Sequence, residues 1–331
     1  HFWDVWHGGK PFERYHEVTP RFCSEFGFQS LPSPATLRSA VGHDDRDLTS
    51  PVMQHHQRHE AGNTIIAGAL ERLFRTPVDF DALCYLSQLA HGLALKCGVE
   101  HWRRNKPRCM GTLYWQLQDC WVVASWASVD YELRYKAAHY FARRFYAPLL
   151  GSVVDGDSAL CLWATSDLTA DVEGAYSLEL WHVEGRCLRR LDGAFRLPAQ
   201  ATRRIAETAY NDLIDPTIAR SDQLVRMVID ADGYRHENLH VSTAYKELNL
   251  RRPEITTTVT CGTDGFRVAL TTDIPALFVE LDSGRVRGVF SDNYFALFPG
   301  ARVHIEFTPA GEADVSDLRR ELRTRSLRDT Y

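Results

Sequence analysis

The sequence predicts a multidomain protein in which an α/β region is followed by all-β sandwich domains. Before residue 150, short apolar runs alternate with helical patterns, whereas after it apolar residues recur at every second position. The length of 331 residues also favours two or three domains over one. We therefore place the first domain boundary between residues 148 and 149.

Strand and helix patterns alternate twice within residues 1–148. Buried strands are expected at 20–28, which ends near Gly27, and at 109–115. The helix between them begins after Asp79, and its apolar stripe is Phe80, Leu83, Leu86, Ala90, Leu93 and Cys97. A later helix, stopped by Pro148, carries Leu133, Ala137, Phe141 and Phe145 near one face. This order indicates parallel βα units, but two units cannot close a barrel.

Residues 149–245 and 246–315 are expected to form two antiparallel β-sandwiches. Apolar and polar residues alternate at 176–180, 255–261 and 303–307. Asp264-Gly265 is typical of a hairpin turn. The stretch Lys246 to Pro253 resembles a linker, which favours two sandwiches over one. The charged tail, residues 316–331, is expected to be a surface helix or disordered.

Composition excludes several classes of partner. A net charge of −5 gives no positive field for nucleic acid, and no uncharged apolar run is long enough to span a membrane. The eight cysteines form no C-x-x-C pair and have mostly apolar neighbours, so buried free thiols are expected. Free thiols favour the cytoplasm. Periplasmic or lysosomal locations stay open, because the chain begins at His1 without Met and we expect further sequence upstream.

Glu25 is the first candidate for chemistry. It lies at the end of a predicted strand, just before Gly27, where barrel enzymes place active-site side chains. A carboxylate in that position can attack an anomeric carbon. It must be ionised to do so, and Arg21 and Arg38 are the candidate neighbouring cations. The alternative is an ordinary solvated or salt-bridged glutamate.

A second group of candidates follows the strand at 109–115. Trp115, Asp119 and Trp121 combine aromatic rings with a carboxylate, and Gln116 and Gln118 add amides. Aromatic faces pack against the C–H faces of sugars, and amides or carboxylates bind hydroxyl groups. Core packing of the tryptophans is the alternative.

Trp3, Trp6 and His7, followed by Gly8-Gly9, form a third group, typical of a loop near a ligand or of core aromatics before a turn. His55 and His59 have metal-ligand spacing on a helix. A surface histidine cluster is favoured for them, and no metal site is expected.

Several long segments together resemble glycoside hydrolase family 2, and within it the β-mannosidases. The resemblance is dense over residues 1–148 and thinner beyond. It is carried by HFWDVWHGGKPFE at 1–13, PRFCSEFGFQS at 20–30, MGTLYWQLQDCW at 110–121 with Ser125-Trp126, KAAHYFARRFYAP at 136–148, and FSDNYF at 290–295 with Pro299-Gly300.

The resemblance implies the C-terminal part of a (β/α)8 TIM barrel followed by immunoglobulin-like β-sandwich domains. Glu25 would lie on barrel strand 7 as the nucleophile, and Trp115 would end strand 8 and line the sugar subsite. A cis peptide is expected between Trp115 and Gln116. Asp119 and Trp121 would lie at the pocket edge, although Gln118 replaces the usual Asn. The segment 1–9 would be the loop beside the nucleophile.

The family's acid/base Glu, preceded by Asn, has no counterpart, because no Asn-Glu pair occurs in this sequence. It is expected upstream, in a missing N-terminal part of the same protein. The resemblance thus implies a retaining exo-β-glycosidase acting on terminal β-D-mannose without cofactor, and inactivity of this chain alone. Another family 2 enzyme, a β-glucosaminidase or β-galactosidase, is one alternative. A noncatalytic carbohydrate-binding or scaffold fragment is the other, and Glu25 argues against it.

Overall fold

A computed structural model describes residues 1–231 and 233–331 of the chain. Residues 1–148 contain two short strands and five helices. The strands are β1 (Cys23–Phe26) and β2 (Thr112–Tyr114); the helices are α1 (Pro34–Leu37), α2 (Pro51–His55), α3 (Gly62–Leu73), α4 (Phe80–Arg104) and α5 (Ala137–Phe145). Short 3-10 helices occur at Phe12–Glu17, His43–Asp45, Arg220–Asp222, Tyr245–Glu247 and Leu327–Thr330.

The strands β1 and β2 pair in parallel, which confirms the predicted strand–helix–strand order. Cys23 lies opposite Thr112 and Phe26 opposite Tyr114, with α4 providing the crossover. Asp79 begins that helix by accepting a hydrogen bond from the Ala82 N–H, as an N-cap aspartate does. These two strands form a sheet of their own, and no barrel is evident within the described residues.

The predicted start of the last helix of this region is wrong. Leu133 lies in a turn with φ of 62°, and α5 begins only at Ala137. The turn forms because the Asp130 carboxylate accepts hydrogen bonds from the N–H groups of Glu132 and Arg134, each at 3.0 Å. An aspartate that satisfies its own following backbone competes with helix formation.

The first sandwich packs a sheet of order β3-β4-β7 against one of order β6-β5-β8-β9. Its elements are β3 (Leu149–Asp155), β4 (Ala159–Ser166), β5 (Val172–His182), β6 (Cys187–Leu197), β7 (Thr202–Ala209), α6 (Tyr210–Leu213), β8 (Gln223–Ala231) and β9 (Tyr234–His240). All neighbouring strands are antiparallel. Leu162, Leu178 and Met227 are fully buried between the sheets, so the period-two pattern places its apolar residues in a shared core.

The second sandwich packs a sheet of order β10-β11-β15-β13 against one of order β14-β12-β16. Its elements are β10 (Ile255–Cys261), β11 (Phe266–Thr272), β12 (Ala276–Asp282), β13 (Gly288–Phe290), β14 (Phe295–Leu297), β15 (Val303–Pro309), α7 (Val315–Glu321) and β16 (Arg323–Arg325). The hairpin expected at Asp264-Gly265 joins β10 to β11, and Gly265 has a φ of 152°.

The expectation for the charged tail is wrong in its second half. A helix does form, as α7, but residues 323–325 then pair with β12, and Leu327 is buried in the core of the molecule. The pairing is long-range: Arg325 donates to Glu280 across the strands. Local composition therefore did not reveal that the tail completes a sheet.

One apolar core joins the α/β region to both sandwiches. Tyr85 of α4 donates a hydrogen bond of 2.6 Å to the Phe278 carbonyl, and Arg144 of α5 binds Asp292 at 2.6 Å. Leu248, in the predicted linker, is fully buried in the same core. The sandwiches are thus held in fixed contact with the helices that carry β1 and β2.

Two further observations concern the described residues. No helix among them is both long and apolar enough to cross a membrane. All eight cysteines are free. Cys23, Cys84 and Cys109 are buried as expected, whereas Cys120, Cys187 and Cys261 are exposed. The three exposed cysteines each follow a polar residue, Asp119, Arg186 or Thr260, so the pattern of apolar neighbours does not extend to them.

Candidate functional site

Glu25 lies one residue before the carboxyl end of β1, and its side chain is 30% exposed. Its Oε2 atom accepts a hydrogen bond of 3.2 Å from Trp3 Nε1 and lies 3.0 Å from His1 Nδ1. The Phe2 N–H donates to the Glu25 carbonyl at 2.8 Å. The first three residues therefore hold the glutamate from both its backbone and its side chain.

Neither arginine considered from the sequence is the partner of Glu25. Arg38 forms an ion pair of 3.0 Å with Asp81, and Arg21 is exposed with no ion pair among the described residues. The neighbouring basic group is His1. Sequence proximity misled here, because the partner comes from a loop 24 positions away that folds back onto β1.

Trp115 lies beside Glu25 at the same end of the sheet. The backbone N–H of Trp115 donates to the Phe26 carbonyl at 2.8 Å, and its side chain is 45% exposed. The peptide between Trp115 and Gln116 is cis, as expected. A Cβ atom on Gly27 would lie 2.5 Å from the Trp115 carbonyl, so the close approach of the two strand ends requires glycine there.

Trp3 and Trp6, the two tryptophans of the first segment, differ in accessibility. Trp3 is partly exposed and packs edge-on against Trp126, with ring centroids 6.2 Å apart. Trp6 is fully buried against Phe28 and Trp126. The expectation that Trp6 contacts substrate is therefore wrong, because a fully buried ring can only support its neighbours.

His7 lies at the exposed edge of this aromatic group. Its Nδ1 is 3.1 Å from His59 Nε2, and its ring centroid is 5.2 Å from that of Trp3. Burial and the neighbouring His59 both lower the pKa of His7. The two imidazoles share one hydrogen bond through His7 Nδ1, so His7 Nε2 stays available for a further hydrogen bond.

His55 and His59 do not form the helical pair that their spacing allows. Helix α2 ends at His55, so the two rings do not share a helix face. No group of His, Cys, Asp or Glu among the described residues could hold a metal ion. Instead, His56 stacks on Trp121 with centroids 5.1 Å apart, and Arg58 lies 4.2 Å from the centre of the same ring.

Asp119 lies beneath the site and not at its open edge, where it was expected. It is 5% exposed, and burial raises the pKa of its carboxyl group. Its Oδ2 atom has no hydrogen-bond partner among the described residues. Lys136 and Ser125 oppose that rise in pKa, so Asp119 lies in a buried polar cluster with them.

Lys136 is a buried cation that the sequence pattern did not single out. Its ammonium donates to the carbonyls of Ser30 and Ser125, at 3.2 and 3.3 Å. Burial lowers the pKa of Lys136 to about 8, against the opposing effects of Asp119 and Asp130. It joins the segment after β1 to the loop after β2. A lone lysine before a helix carries no sequence signal for such a role.

The sequence of this chain matches two domain models and the sequences of several known enzymes. Residues 158–247 match the model of the mannosidase Ig/CBM-like domain, and residues 250–330 match that of the mannosidase Ig-fold domain. A β-mannosidase of Capra hircus is 31% identical over 94% of this chain and 38% of its own length. The β-mannosidase A of Aspergillus clavatus is 28% identical over 95% and 38%.

Solved structures show the same fold. A β-D-mannosidase from Dictyoglomus thermophilum superposes with a TM-score of 0.90 at 24% identity, over 98% of this chain and 40% of that one. An exo-chitosanase from Amycolatopsis orientalis superposes with a TM-score of 0.70 at 16% identity, over 90% and 41%. The chain thus spans about two fifths of the proteins that it matches.

Proposed function

Because this chain corresponds to the C-terminal part of the β-mannosidases of glycoside hydrolase family 2, we propose that the protein containing it is a retaining exo-β-mannosidase with Glu25 as nucleophile. The observation that supports this most directly is local. Glu25 and Trp115 lie together at the carboxyl ends of two parallel strands, where α/β enzymes place their active sites.

In this proposal β1 and β2 are the last two strands of a (β/α)8 barrel. Their parallel pairing and the long crossover helix α4 support it. The remaining strands, and the acid/base carboxylate, would come from upstream residues of the same protein. The two sandwiches brace the barrel through the shared core around Phe278 and Leu248.

The chemistry follows from how Glu25 is held. Its Oε2 is occupied by Trp3 and His1, whereas Oε1 makes no hydrogen bond within the described residues. Oε1 attacks the anomeric carbon, the bond to the leaving oxygen breaks, and the upstream acid protonates that oxygen. Water, deprotonated by the same group, then displaces the glutamate and releases the sugar with its original configuration. Retention requires the two carboxyl groups to lie roughly 5–5.5 Å apart.

Trp115 supplies the surface for the sugar ring. Trp115 is half-exposed at the end of β2, next to the end of β1 that carries Glu25, and in this proposal its ring covers the C–H groups of one monosaccharide. Trp3 and His7 border the same space; Trp3 Nε1 already donates to Glu25, whereas His7 Nε2 remains for a hydrogen bond to the sugar. Mannose as that sugar is supported by the names of the relatives. The fold alone does not select it, because an exo-chitosanase has the same fold.

The test is the stereochemistry and sugar preference of the full-length polypeptide. Hydrolysis of p-nitrophenyl β-D-mannoside, followed by proton NMR in the first minutes, should show β-mannose as the first product. The matched β-glucosaminide and β-galactoside should be hydrolysed much more slowly. First release of α-mannose would contradict retention. A preference for either other sugar would leave the reaction class standing and reject mannose.

A further inference from the structure

An isolated pair of residues, Ser30 and Ser125, ties the segment that follows β1 to the loop that follows β2. The Ser30 N–H donates to the Ser125 carbonyl at 2.9 Å, and the Ser125 N–H donates to the Ser30 carbonyl at 3.1 Å. Ser30 lies five residues after Glu25, and Ser125 lies ten after Trp115. This Ser30–Ser125 bridge therefore joins the segment that carries the proposed nucleophile to the one that carries the sugar platform.

Lys136 holds both halves of the bridge. Its side chain is fully buried, and its ammonium donates to the same two carbonyls, at 3.2 Å from Ser30 and 3.3 Å from Ser125. Its backbone N–H donates to the Ser128 carbonyl at 2.9 Å, and the Ser128 N–H donates to the Gln116 carbonyl at 3.0 Å. Lys136 thus holds the loop after β2 at two places.

The groups around Lys136 confine its charge to this position. Asp119 and Asp130 are the carboxylates that face it, and both are buried. The ring of His91 lies 3.1 Å from Ser30 Oγ, and burial together with Lys136 holds the pKa of this imidazole well below its ordinary value. A buried ion is costly unless it makes hydrogen bonds, so the ammonium stays on the two carbonyls.

Trp126 transmits the position of the bridge to the proposed nucleophile. It directly follows Ser125, and its ring meets that of Trp3 edge-on. Trp3 Nε1 in turn donates to the Glu25 carboxylate at 3.2 Å. A Cβ atom on Gly27 would lie 3.2 Å from the Trp126 ring and 3.3 Å from the Trp3 ring, so both rings pack closely on the Gly27 backbone. A shift of Trp126 therefore displaces the donor that orients the glutamate.

We infer that Lys136 is a positioning residue for Glu25. By holding the bridge it fixes Trp126, and through that ring it fixes the Trp3 donor that orients the nucleophile. The inference rests on the proposed function and adds to it a residue that touches neither the sugar nor the attacking carboxylate. Because attack depends on accurate placement of the nucleophile, loss of this contact should lower the rate of reaction and not the affinity for the sugar.

The experiment compares Lys136→Met with the unchanged full-length polypeptide on aryl β-mannosides. Methionine is similarly long and unbranched, but it cannot donate to the two carbonyls. We expect kcat and kcat/KM to fall equally, on the order of 10- to 100-fold. The fall in kcat/KM should be as large for 2,4-dinitrophenyl β-mannoside, whose leaving group needs no protonation, as for phenyl β-mannoside, because placement of the nucleophile is impaired and proton donation is not.

Arg103→Met is the matched control. Arg103 is also a buried cation of residues 1–148, and it donates to the Phe145 carbonyl at 2.5 Å and to the Asp167 carboxylate at 2.9 Å. Both partners lie outside the loops that follow β1 and β2. Its loss should lower the free energy of unfolding, as the loss of Lys136 should, but leave kcat and kcat/KM unchanged.

Trp126→Leu keeps the test decisive if Lys136→Met does not fold. It removes the ring through which Lys136 acts, and it should produce the same equal fall in kcat and kcat/KM. Where both single variants fold, their losses should not add in the double variant, because the two residues act through one path.

Two kinds of negative outcome are distinguishable. Full activity of either folded variant, a rise in KM alone, additive losses, or a fall in Arg103→Met as large as that in Lys136→Met would overturn the positioning role and leave the proposed function intact. Absence of aryl mannoside hydrolysis by the unchanged polypeptide would overturn the proposed function, and the role of Lys136 with it.

Discussion

Residues 1–148 and the two sandwiches differ in how many large hydrophobic side chains they expose and how many buried polar atoms lack a partner. Most of the large exposed hydrophobic side chains belong to the first region, among them Phe22, Met110 and Leu113, whereas the sandwiches expose Tyr234 and Val289. Buried polar atoms show the same contrast near the site: both side-chain atoms of Gln29 lack partners among the described residues.

The sandwiches, in turn, pair their buried charges internally. Glu179 is bound by Arg190 and Arg226, and Glu280 by Arg325. Among the described residues, unpartnered buried polar atoms are more numerous in residues 1–148, although the sandwiches also contain some, such as Ser152 Oγ and His236 Nε2. Such atoms in a polar cleft call for a ligand, water or more protein. On this comparison we place the proposed chemistry in the first region and a supporting role in the second, and the apolar core around Phe278 joins the two.

The largest expected effect is on Glu25. Glu25→Gln preserves shape and removes the nucleophile, so activity of the full-length polypeptide should fall on the order of 10⁴-fold or more. The melting temperature should not change, because the side chain is part-exposed. Glu60→Gln, at another exposed glutamate of the same region, is the control and should retain full activity. Appreciable activity in Glu25→Gln would contradict the assignment of the nucleophile to Glu25 in the first region.

A sandwich residue should show the reverse pattern. Trp181 is 9% exposed, donates to Glu179 at 2.8 Å and packs against Phe298. Trp181→Ala should lower the free energy of unfolding by about 3–5 kcal/mol. The kcat of the molecules that stay folded should be unchanged. Denaturant unfolding and assays at low temperature separate the two quantities, and a lower kcat would mean that the sandwiches do more than support.

Acid should weaken the contact between the helices and the first sandwich. Burial lowers the pKa of His236 to about 4, from its ordinary 6.5; Glu100, Lys96 and Arg144 are the charged groups around it. As the pH falls, His236 is therefore protonated in the unfolded chain at a higher pH than in the folded one. The stabilisation is complete above pH 6.5 and is lost as pH falls toward 4, by about 3 kcal/mol at most.

Unfolding free energies between pH 7 and 4 test this expectation, with His236→Gln as the variant. A fall in stability that is equally steep with and without His236 would contradict it. His91, also buried, has a pKa well below the ordinary value and contributes with the same sign, so the variant should reduce the slope without removing it.

The smallest expected effect concerns the sugar platform. Trp115→Ala should reduce kcat/KM on the aryl mannoside roughly 10- to 100-fold, since truncating an aromatic side chain at a binding surface costs about 1–3 kcal/mol. Trp115→Phe should recover part of the loss. Because the ring is 45% exposed, stability should change little. Equal losses in both variants would indicate that Trp115 orients the strand ends and not the sugar.

Local signals in the sequence were sufficient where a residue acts on its own neighbours. Asp79 caps α4, and Gly265 forms the turn between β10 and β11, both as expected. The resemblance to a known family led to the cis peptide at Trp115 and to the sandwich order. These features depend on short segments or on long matched motifs.

The features that the sequence did not predict correctly depend on residues that are distant in the sequence. Residues 323–325 pair with a strand more than 40 positions earlier, and His1 replaces the arginines expected beside Glu25. Trp6 is buried by residues from several segments, and Lys136 gains its role only from the carbonyls around it. Periodicity in one segment carries no information about which other segment covers it.

The most direct test of the central claim is to trap the intermediate on Glu25. The full-length polypeptide would be treated with 2-deoxy-2-fluoro-β-mannosyl fluoride, and its intact mass and peptides compared before and after. We expect one fluoromannosyl adduct, on the peptide containing Cys23-Ser24-Glu25-Phe26, with loss of activity in proportion to labelling. An adduct on a different carboxylate, or inactivation without any adduct at Glu25, would contradict the assignment.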